Sequence, residues 1–301
     1  MKNLADKERL GPLMAFISAA SFGAYPIFAK LAYGFGVNVP TVLFLRFSGC
    51  VILLWVFLIF TKRYQAFPKE AVIKLLLVGA LVYSAMSALN LLAVTMISAS
   101  LASLLLCTYP IFVTIVTIIR KDDRLTKDKA GALVLSFIGI ALLLNVDLSQ
   151  INAWGILCGI GASFAYTAYV VIGNVIQKDL EPIQSATLIM SGACITYTLN
   201  GLIAGSLFFG FPGCGWLAMA GMILCSTVFA VVLFWASIKT IGPAKASIIG
   251  TAEPLVSVIL AVILFDEKMT LLQCLGSGLI IAGVLIIQRV KSKSEPAMTR
   301  A

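Results

Sequence analysis

The chain contains no histidine and few charged residues. Its 301 residues are 60% apolar and only 12% charged, whereas a soluble domain is about half apolar and about a quarter charged. The seven cysteines form no CxxC pair, so we expect no metal site. The sequence also lacks a GxxxxGK[ST] phosphate-binding loop and a nucleophile–base motif. These absences argue against ATP coupling within the chain, against a bound cofactor and against an enzyme.

Long apolar runs dominate the sequence instead. Stretches of about 20 residues, enough for a helix to cross the hydrocarbon core of a bilayer, recur with short linkers between them. Lipid offers the backbone no hydrogen-bond partner, and no alternating strand pattern occurs, so we predict an all-α integral membrane protein. The ten predicted transmembrane helices lie at residues 11–33, 39–60, 70–93, 98–119, 129–146, 154–176, 183–208, 214–238, 243–265 and 271–288.

The basic residues predict the orientation in the membrane. With the N-terminus inside, 19 of the 22 basic residues flank the cytoplasmic ends of the spans or lie in the termini. Only Lys30 and Lys268 remain toward the outer side, and Arg46 lies within a span. The positive-inside rule therefore predicts a multi-pass protein of the inner membrane with both termini cytoplasmic. Because these charges are spread over membrane-flanking turns, we expect no nucleic-acid partner.

The sequence contains an internal repeat. The phrase around Ala102-Ser103 and Pro110 returns 144 residues later, and Ala20-Ser21-Phe22 returns 142 residues later. The linker after the fourth span carries five basic residues, whereas its counterpart carries one basic and two acidic residues. Opposite charge bias in equivalent linkers is expected of repeats in opposite orientation. We predict two inverted five-helix repeats, residues 1–150 and 151–290, and a cytoplasmic tail at 291–301.

The repeated segment carries a family resemblance. It reads SASLASLLLCTYPIFVTIVTIIRKDDRLT in the first half and IGPAKASIIGTAEPLVSVILAVILFDEKMT in the second, each followed by a glycine-rich helix. This pattern resembles the EamA-type branch of the drug/metabolite transporter superfamily over about residues 11–290. The resemblance implies ten helices in two inverted repeats around a central cavity, often for metabolite or amino-acid efflux. The halves differ at the centre of the motif, where Tyr109-Pro110 in one corresponds to Glu253-Pro254 in the other.

Glu253 is the only carboxylate well inside a predicted span. An uncompensated charge there is costly, so such a residue usually faces an aqueous cavity or a partner. The neighbouring Pro254, like Pro110 in the first half, is expected to kink its helix. Glu253 is therefore a candidate to bind a substrate amine or a proton. The alternative is an internal ion pair or clamp that holds the repeats together.

Two basic residues are candidates to bind a substrate carboxylate. Lys30 lies toward the outer end of the first span, where snorkelling to the headgroups is the alternative. Arg46 lies about 9 Å along its helix from Pro40, at 1.5 Å per residue, which is too deep for easy snorkelling. Its guanidinium suits bidentate carboxylate binding; the alternative is a structural tie to main-chain carbonyls of another helix.

Several aromatic and polar residues complete the candidate site. Tyrosines on the faces of the first and sixth spans combine apolar area with a hydroxyl, which suits a moderately apolar substrate, although helix packing is the alternative for each ring. Asn90 and Trp235 are approximate repeat mates where a cavity wall is expected, and Asn90 needs a partner at this depth. The substrate-binding candidates are Tyr25, Lys30, Arg46, Asn90, Tyr109, Tyr166, Tyr169, Trp235 and Glu253.

These residues predict a secondary transporter that moves a small organic solute by alternating access. Export of an amino acid would match Glu253 to the amine, Arg46 or Lys30 to the carboxylate and the tyrosines to the side chain. Export of lipophilic cations or drugs is an alternative, but the acidic residue that smaller relatives use in their first span is absent here. Sugar or sugar-phosphate transport and, in a different class, a passive channel also stay open. Direction, proton coupling and the choice between monomer and homodimer are not determined by the sequence.

Overall fold

The computed structural model describes residues 2–61, 68–97, 99–144, 152–177, 180–265 and 269–289. Within these ranges the chain forms fifteen α-helices, two π-helical turns and no strand. The helices are α1 (Lys2–Gly23), α2 (Tyr25–Gly34), α3 (Val39–Phe60), α4 (Lys69–Leu77), α5 (Ser84–Met96), α6 (Ala99–Leu106), α7 (Tyr109–Ile119), α8 (Lys127–Leu143), α9 (Ala153–Ile176), α10 (Pro182–Ile203), α11 (Gly213–Ile223), α12 (Ala230–Ile241), α13 (Pro243–Gly250), α14 (Glu253–Phe265) and α15 (Leu271–Arg289). The π turns are π1 (Val78–Tyr83) and π2 (Leu224–Phe229).

Nine helical segments of the described chain are long and apolar enough to cross a membrane. They coincide with nine of the ten predicted spans; the second, for example, runs from Val39 to Phe60 as predicted. The predicted fifth span corresponds to α8, which has only 17 residues and is shorter than the other nine. The membrane-protein fold is therefore shown, whereas the count of ten stays a prediction. The predicted tail at 291–301 lies outside the described residues.

Capping side chains fix where the helices begin. Asn38 accepts a hydrogen bond from the Thr41 amide (3.0 Å) at the start of α3, and Thr126 accepts one from the Lys129 amide (3.3 Å) at α8. Thr270 accepts one from the Gln273 amide (3.3 Å) at α15. The conserved spacing of Thr126 and Thr270 in the two copies thus places an N-cap before the last helix of each half. Residues 266–268, the two acidic residues and the basic residue of the linker before α15, lie outside the described residues.

The seventh span is shorter than the sequence predicted. Helix α10 ends at Ile203 rather than residue 208, because Gly205 adopts a left-handed φ of +56°, which ends a helix. The chain that follows contacts the other half. Asn38 Nδ2 donates to Ser206 O (2.8 Å), and the Phe208 amide donates to Thr41 Oγ1 (2.8 Å).

Helix pairing is symmetric under exchange of the two halves. Helix α1 packs on α12, and its mate α9 packs on α5, the mate of α12. The pairs α3–α10 and α8–α15 each join a helix to its own repeat mate, and α7 packs on α13, the mate of α6. Contacts between the halves therefore build most of the interior, and neither half is a separate bundle.

Glycines allow close backbone contact at two places, between α8 and α15 and between α10 and the α4–π1 segment. A Cβ at Gly276 of α15 would lie 2.5 Å from Gly139 O of α8, and a Cβ at Gly139 would lie 2.7 Å from Gly276 O. Between α10 and the α4–π1 segment, Gly79 faces the Ile189 carbonyl and Gly192 faces the Leu76 carbonyl at distances that exclude a Cβ. Gly276 is therefore used for packing within the chain.

Three of the spanning segments are interrupted just before an X-Pro pair. Helix α1 gives way to α2 at Tyr25-Pro26, α6 to α7 at Tyr109-Pro110, and α13 to α14 at Glu253-Pro254. At the two prolines where the sequence predicted a kink, Pro110 and Pro254, the helix is interrupted, and the proline is the second residue of the helix that follows. Proline suits this position because it needs no amide donor and cannot continue the preceding turn. Each break exposes the amide end of a new helix inside the bundle.

Candidate functional site

Arg46 is buried in the middle of the bundle, with 8% of its surface exposed. Its guanidinium lies over the Tyr25 ring, 4.3 Å from the ring centroid, and 5.3 Å from the centroid of Phe47. Cation–π contacts of this kind partly replace the water that the charge has lost. The sequence candidates Arg46 and Tyr25 are thus brought together, and the break before α2 is what places the tyrosine there.

The π2 turn supplies the hydrogen-bond partner of Arg46. The guanidinium Nε donates to Thr227 Oγ1 (3.0 Å), and the same hydroxyl donates to Met222 O (3.1 Å), five residues earlier at the end of α11. A similar hydroxyl follows the π1 turn: Ser84 Oγ, at the start of α5, donates to Gly79 O (3.1 Å) but meets no arginine among the described residues. Such turns are frequent at functional sites.

A continuous series of aromatic rings lines the interior between the halves. Phe47 stacks on Tyr197 (4.9 Å between centroids), and Tyr83 lies edge-on to Tyr169 (5.1 Å). Three other pairs continue the series: Phe47–Tyr83 (5.9 Å), Tyr169–Tyr166 (5.7 Å) and Tyr166–Tyr109 (4.1 Å). We call these six rings the aromatic row. Phe234 lies between the first and sixth spans, with its ring centroid 6.4 Å from that of Phe22 and 6.5 Å from that of Tyr166.

Glu253 is the first residue of α14 and is only partly buried. Its backbone packs closely against the end of α1. A Cβ at Gly23 would lie 2.7 Å from Glu253 O, and Ser257 Oγ donates a hydrogen bond to Gly23 O (2.8 Å). Its carboxylate accepts no hydrogen bond from any residue that the structure describes. A carboxylate at the amide end of a helix is favoured by the helix dipole, so the charge is tolerated while its oxygens stay available to a ligand.

The two charges face one interior without pairing. No ion pair within 4.0 Å joins Glu253 to Arg46 in the described part of the chain. The interior therefore offers an anionic group, a cationic group and aromatic surface, which together suit a small molecule carrying both charges.

The remaining predicted site residues differ in their surroundings. Lys30 is exposed on α2 and is not placed in the cluster around Arg46. Trp235 is fully buried, edge-on to Tyr169 at 5.1 Å and packed on Gly173. It therefore packs against the aromatic row. Asn90 has a buried Oδ1 with no hydrogen-bond partner among the described residues. The Tyr109 hydroxyl donates to Ser247 O over 3.4 Å, which links the two copies of the motif.

Sequence reasoning missed Thr227, Tyr83, Phe47 and Tyr197. Nothing in the sequence marks a π turn, so Thr227 could not be connected with Arg46, 181 residues away. The break at Tyr25-Pro26 did carry a signal, because the same dipeptide occurs at Tyr109-Pro110. Adjacent to Arg46, Phe47 was visible in the Leu45-Arg46-Phe47 segment but was not considered as a contact of the arginine.

A separate groove lies where α4, α7 and α9 end, away from the aromatic row. Its volume is about 440 Å³, and its walls are apolar apart from Lys74 and Arg120. Both basic groups are already paired with acidic neighbours, Lys74 with Glu70 (2.5 Å) and Arg120 with Asp122 (2.9 Å). The groove therefore has little net charge at its rim.

Known proteins match this chain over most of its length. The Archaeoglobus fulgidus protein named an uncharacterized transporter is 28% identical over 256 residues, which cover 81% of this chain and 87% of that protein. The Bacillus subtilis (strain 168) uncharacterized transporter YcbK is 25% identical, covering 89% of both chains. A crystal structure shares the fold with a TM-score of 0.76 at 14% identity, covering 92% of this chain and 95% of that one.

The match to a family is made twice along the chain. The profile of the EamA-like transporter family matches residues 9–145 and again residues 153–289. The two matches correspond to the two halves whose helices exchange contacts in the structure. The relatives are named as transporters, and the apolar helices make the protein a multi-pass membrane protein. This chain therefore belongs to the EamA-like transporter family, whose profile it contains in two copies.

Proposed function

We propose that this protein is a secondary transporter of the inner membrane that exports a small zwitterionic metabolite, such as an amino acid, by alternating access. The observation that carries the proposal is that neither the Glu253 carboxylate nor the buried Arg46 guanidinium has a group of opposite charge within 4.0 Å among the described residues. In a membrane interior an ionised group that lacks a protein partner normally serves a substrate or ion pathway. Glu253 would bind the amine, Arg46 the carboxylate and the aromatic row the side chain.

The arrangement of the halves supports alternating access. Five spans per half, including α8, would place the halves in opposite orientation with both termini cytoplasmic, in accord with the charge bias of the linkers. The breaks at Tyr25, Tyr109 and Glu253 lie where the halves meet, and discontinuous helices of this kind form the central site of many transporters. Rocking of one half against the other would then expose the same site to each side in turn.

Counterflow in proteoliposomes tests the proposal. Vesicles are preloaded with an unlabelled mixture of the twenty amino acids, and labelled amino acids are added outside one at a time. Saturable accumulation driven by the internal mixture would establish a carrier for this class. No exchange with any amino acid would refute the proposed substrate and direct attention to lipophilic cations and sugars. Flux that neither saturates nor responds to internal substrate would instead indicate a channel.

Charge matching is tested with two variants and two analogues. Glu253→Gln should remove the preference for an amino acid over its N-acetyl derivative. Arg46→Ala should remove the preference for an amino acid over its amide. Each preference should fall at least tenfold, because a hydrogen bond to a charged group contributes about 1.5–3 kcal/mol. The controls are Glu70→Gln and Arg120→Ala, whose exposed ion pairs contribute little. If both site variants keep the wild-type preferences, the charge-matching hypothesis is wrong.

A further inference from the structure

The buried hydroxyl of Thr227 has a fixed direction. Thr227 is fully buried, and its single hydroxyl proton is used by the Met222 carbonyl, 3.1 Å away. A hydroxyl that donates in one direction presents its lone pairs in the others. One of these lone pairs accepts from Arg46 Nε at 3.0 Å. The hydroxyl therefore acts toward the arginine as a pure acceptor, oriented by the backbone of the π2 turn.

The Thr227 contact occupies only one edge of the guanidinium. A guanidinium has five N–H donors in a planar fork. Nε is used by Thr227, the flat face rests on the Tyr25 ring at 4.3 Å, and no carboxylate lies within 4.0 Å of Arg46 in the described part of the chain. With Nε occupied, the two terminal nitrogens are the edge that can still bind a carboxylate bidentately. Ring and hydroxyl together fix the plane of the guanidinium and leave this fork for a ligand.

We infer that Thr227 is a positioning residue, which holds the Arg46 guanidinium so that its terminal N–H groups meet a substrate carboxylate. The inference rests on the proposed function for the role of Arg46 and adds the residue that sets its geometry. It also assigns a role to the π2 turn, whose Thr227 hydroxyl donates to Met222 O and accepts from the arginine Nε.

The other half of the protein provides a matched control. Ser84 is also buried, and its hydroxyl donates to the carbonyl five residues earlier beside the π1 turn. Both hydroxyls therefore make the same hydrogen bond to a backbone carbonyl, which we call the backbone task, but only Thr227 contacts an arginine among the described residues. Ser84→Ala removes the backbone task alone. Thr227→Val keeps the shape of the side chain and removes both tasks, whereas Thr227→Ser keeps the hydroxyl.

The experiment measures competition in the counterflow assay by amino acids and by the corresponding amino-acid amides, which retain the amine but lack the carboxylate. Thr227→Val should weaken competition by the amino acids about tenfold and leave competition by the amides unchanged. Thr227→Ser should restore the wild-type pattern, and Ser84→Ala should show no selective change. A merely structural role would affect both classes of competitor alike, and the thermal stability of each variant in detergent measures that role directly.

Two failures can be told apart. If Arg46→Ala loses the preference for amino acids over amides while Thr227→Val keeps it, the positioning role of Thr227 is wrong and the proposed function stands. If Arg46→Ala also keeps the preference, the assignment of Arg46 in the proposed function is wrong, and the role of Thr227 is overturned with it. A wild-type protein that exchanges no amino acid overturns both.

Discussion

Two glycines in the last helix should respond in opposite ways to alanine. A Cβ at Gly276 would lie 2.5 Å from Gly139 O and 2.6 Å from Leu143 N, whereas a Cβ at Gly278 would meet nothing within 4 Å. The obstructing atoms at Gly276 are backbone and cannot rotate away. To reach ordinary contact distances of about 3.5 Å, α15 would have to move from α8 by roughly 1 Å. That movement would loosen packing along the whole α8–α15 contact.

The expected magnitudes follow from this geometry. Overpacking costs about 1–3 kcal/mol, and at about 2–4 °C per kcal/mol Gly276→Ala should lower the melting temperature in detergent by roughly 2–12 °C. Gly278→Ala should be neutral or slightly stabilising, because alanine favours a helix over glycine by up to about 1 kcal/mol. Heating followed by size-exclusion chromatography measures both variants.

The result that refutes this reasoning is simple to state. A melting temperature of this kind is measured to roughly 1 °C. If the melting temperatures of Gly276→Ala and Gly278→Ala differ by less than that, the close contact between α8 and α15 does not exist as described. A second variant tests the same contact from the other side. Gly139→Ala should resemble Gly276→Ala, because its Cβ would lie 2.7 Å from Gly276 O. The double variant should cost less than the sum, since the first substitution already separates the helices.

Two further predictions concern the outer side and the tie between the halves. Two exposed cysteines lie on one span: Cys214 is the second residue of α11, and Cys225 lies in π2, about 16 Å further along the segment. In intact cells a membrane-impermeant maleimide should label Cys214 and should not label Cys225. Labelling of Cys214 only after the cells are permeabilised would contradict the predicted topology. Asn38→Ala should destabilise the protein by about 1–2 kcal/mol, because it removes the cap of α3 and the bond to Ser206 O. Asn38→Asp, which keeps the cap, should cost less, and equal stability of the two variants in a detergent melt would show that the cap contributes nothing.

Hydropathy determines the spans, and the sequence therefore predicted them well. The apolar run from Val39 to Phe60 is bounded by an asparagine–proline start and a charged linker, so its ends are visible in the sequence. The end of α10 was predicted five residues too late because Ser206 to Phe211 is still largely apolar. Composition alone cannot show that Gly205 takes a positive φ and that the following chain turns back to contact α3.

Contacts between distant residues were harder to predict than the spans. Arg46 and Glu253 were visible as rare charges in apolar surroundings, and the tyrosines as members of helical faces. Which of them meet depends on how α3 packs against π2 and α14 against α1, and a single sequence does not contain that information. The π turns are the clearest case, because their residues, Val78–Tyr83 and Leu224–Phe229, read as ordinary apolar helix.

The departures from symmetry between the two halves are where the chemistry is concentrated. The breaks before Pro110 and Pro254, the N-caps of α8 and α15 and the two π turns recur in both copies. They build a scaffold that needs no charge inside it. The break at Tyr25-Pro26 has no counterpart, because α9 is continuous from Ala153 to Ile176. The charged candidates do not recur: Glu253 corresponds to Tyr109, and Arg46, at the 142-residue offset of its region, corresponds to Leu188. If these charges served only to hold the halves together, they would be expected to pair, and in the described residues they do not. Duplication thus accounts for the helical scaffold. The residues that differ between the two copies, Arg46 and Glu253, are those to which we assign substrate binding.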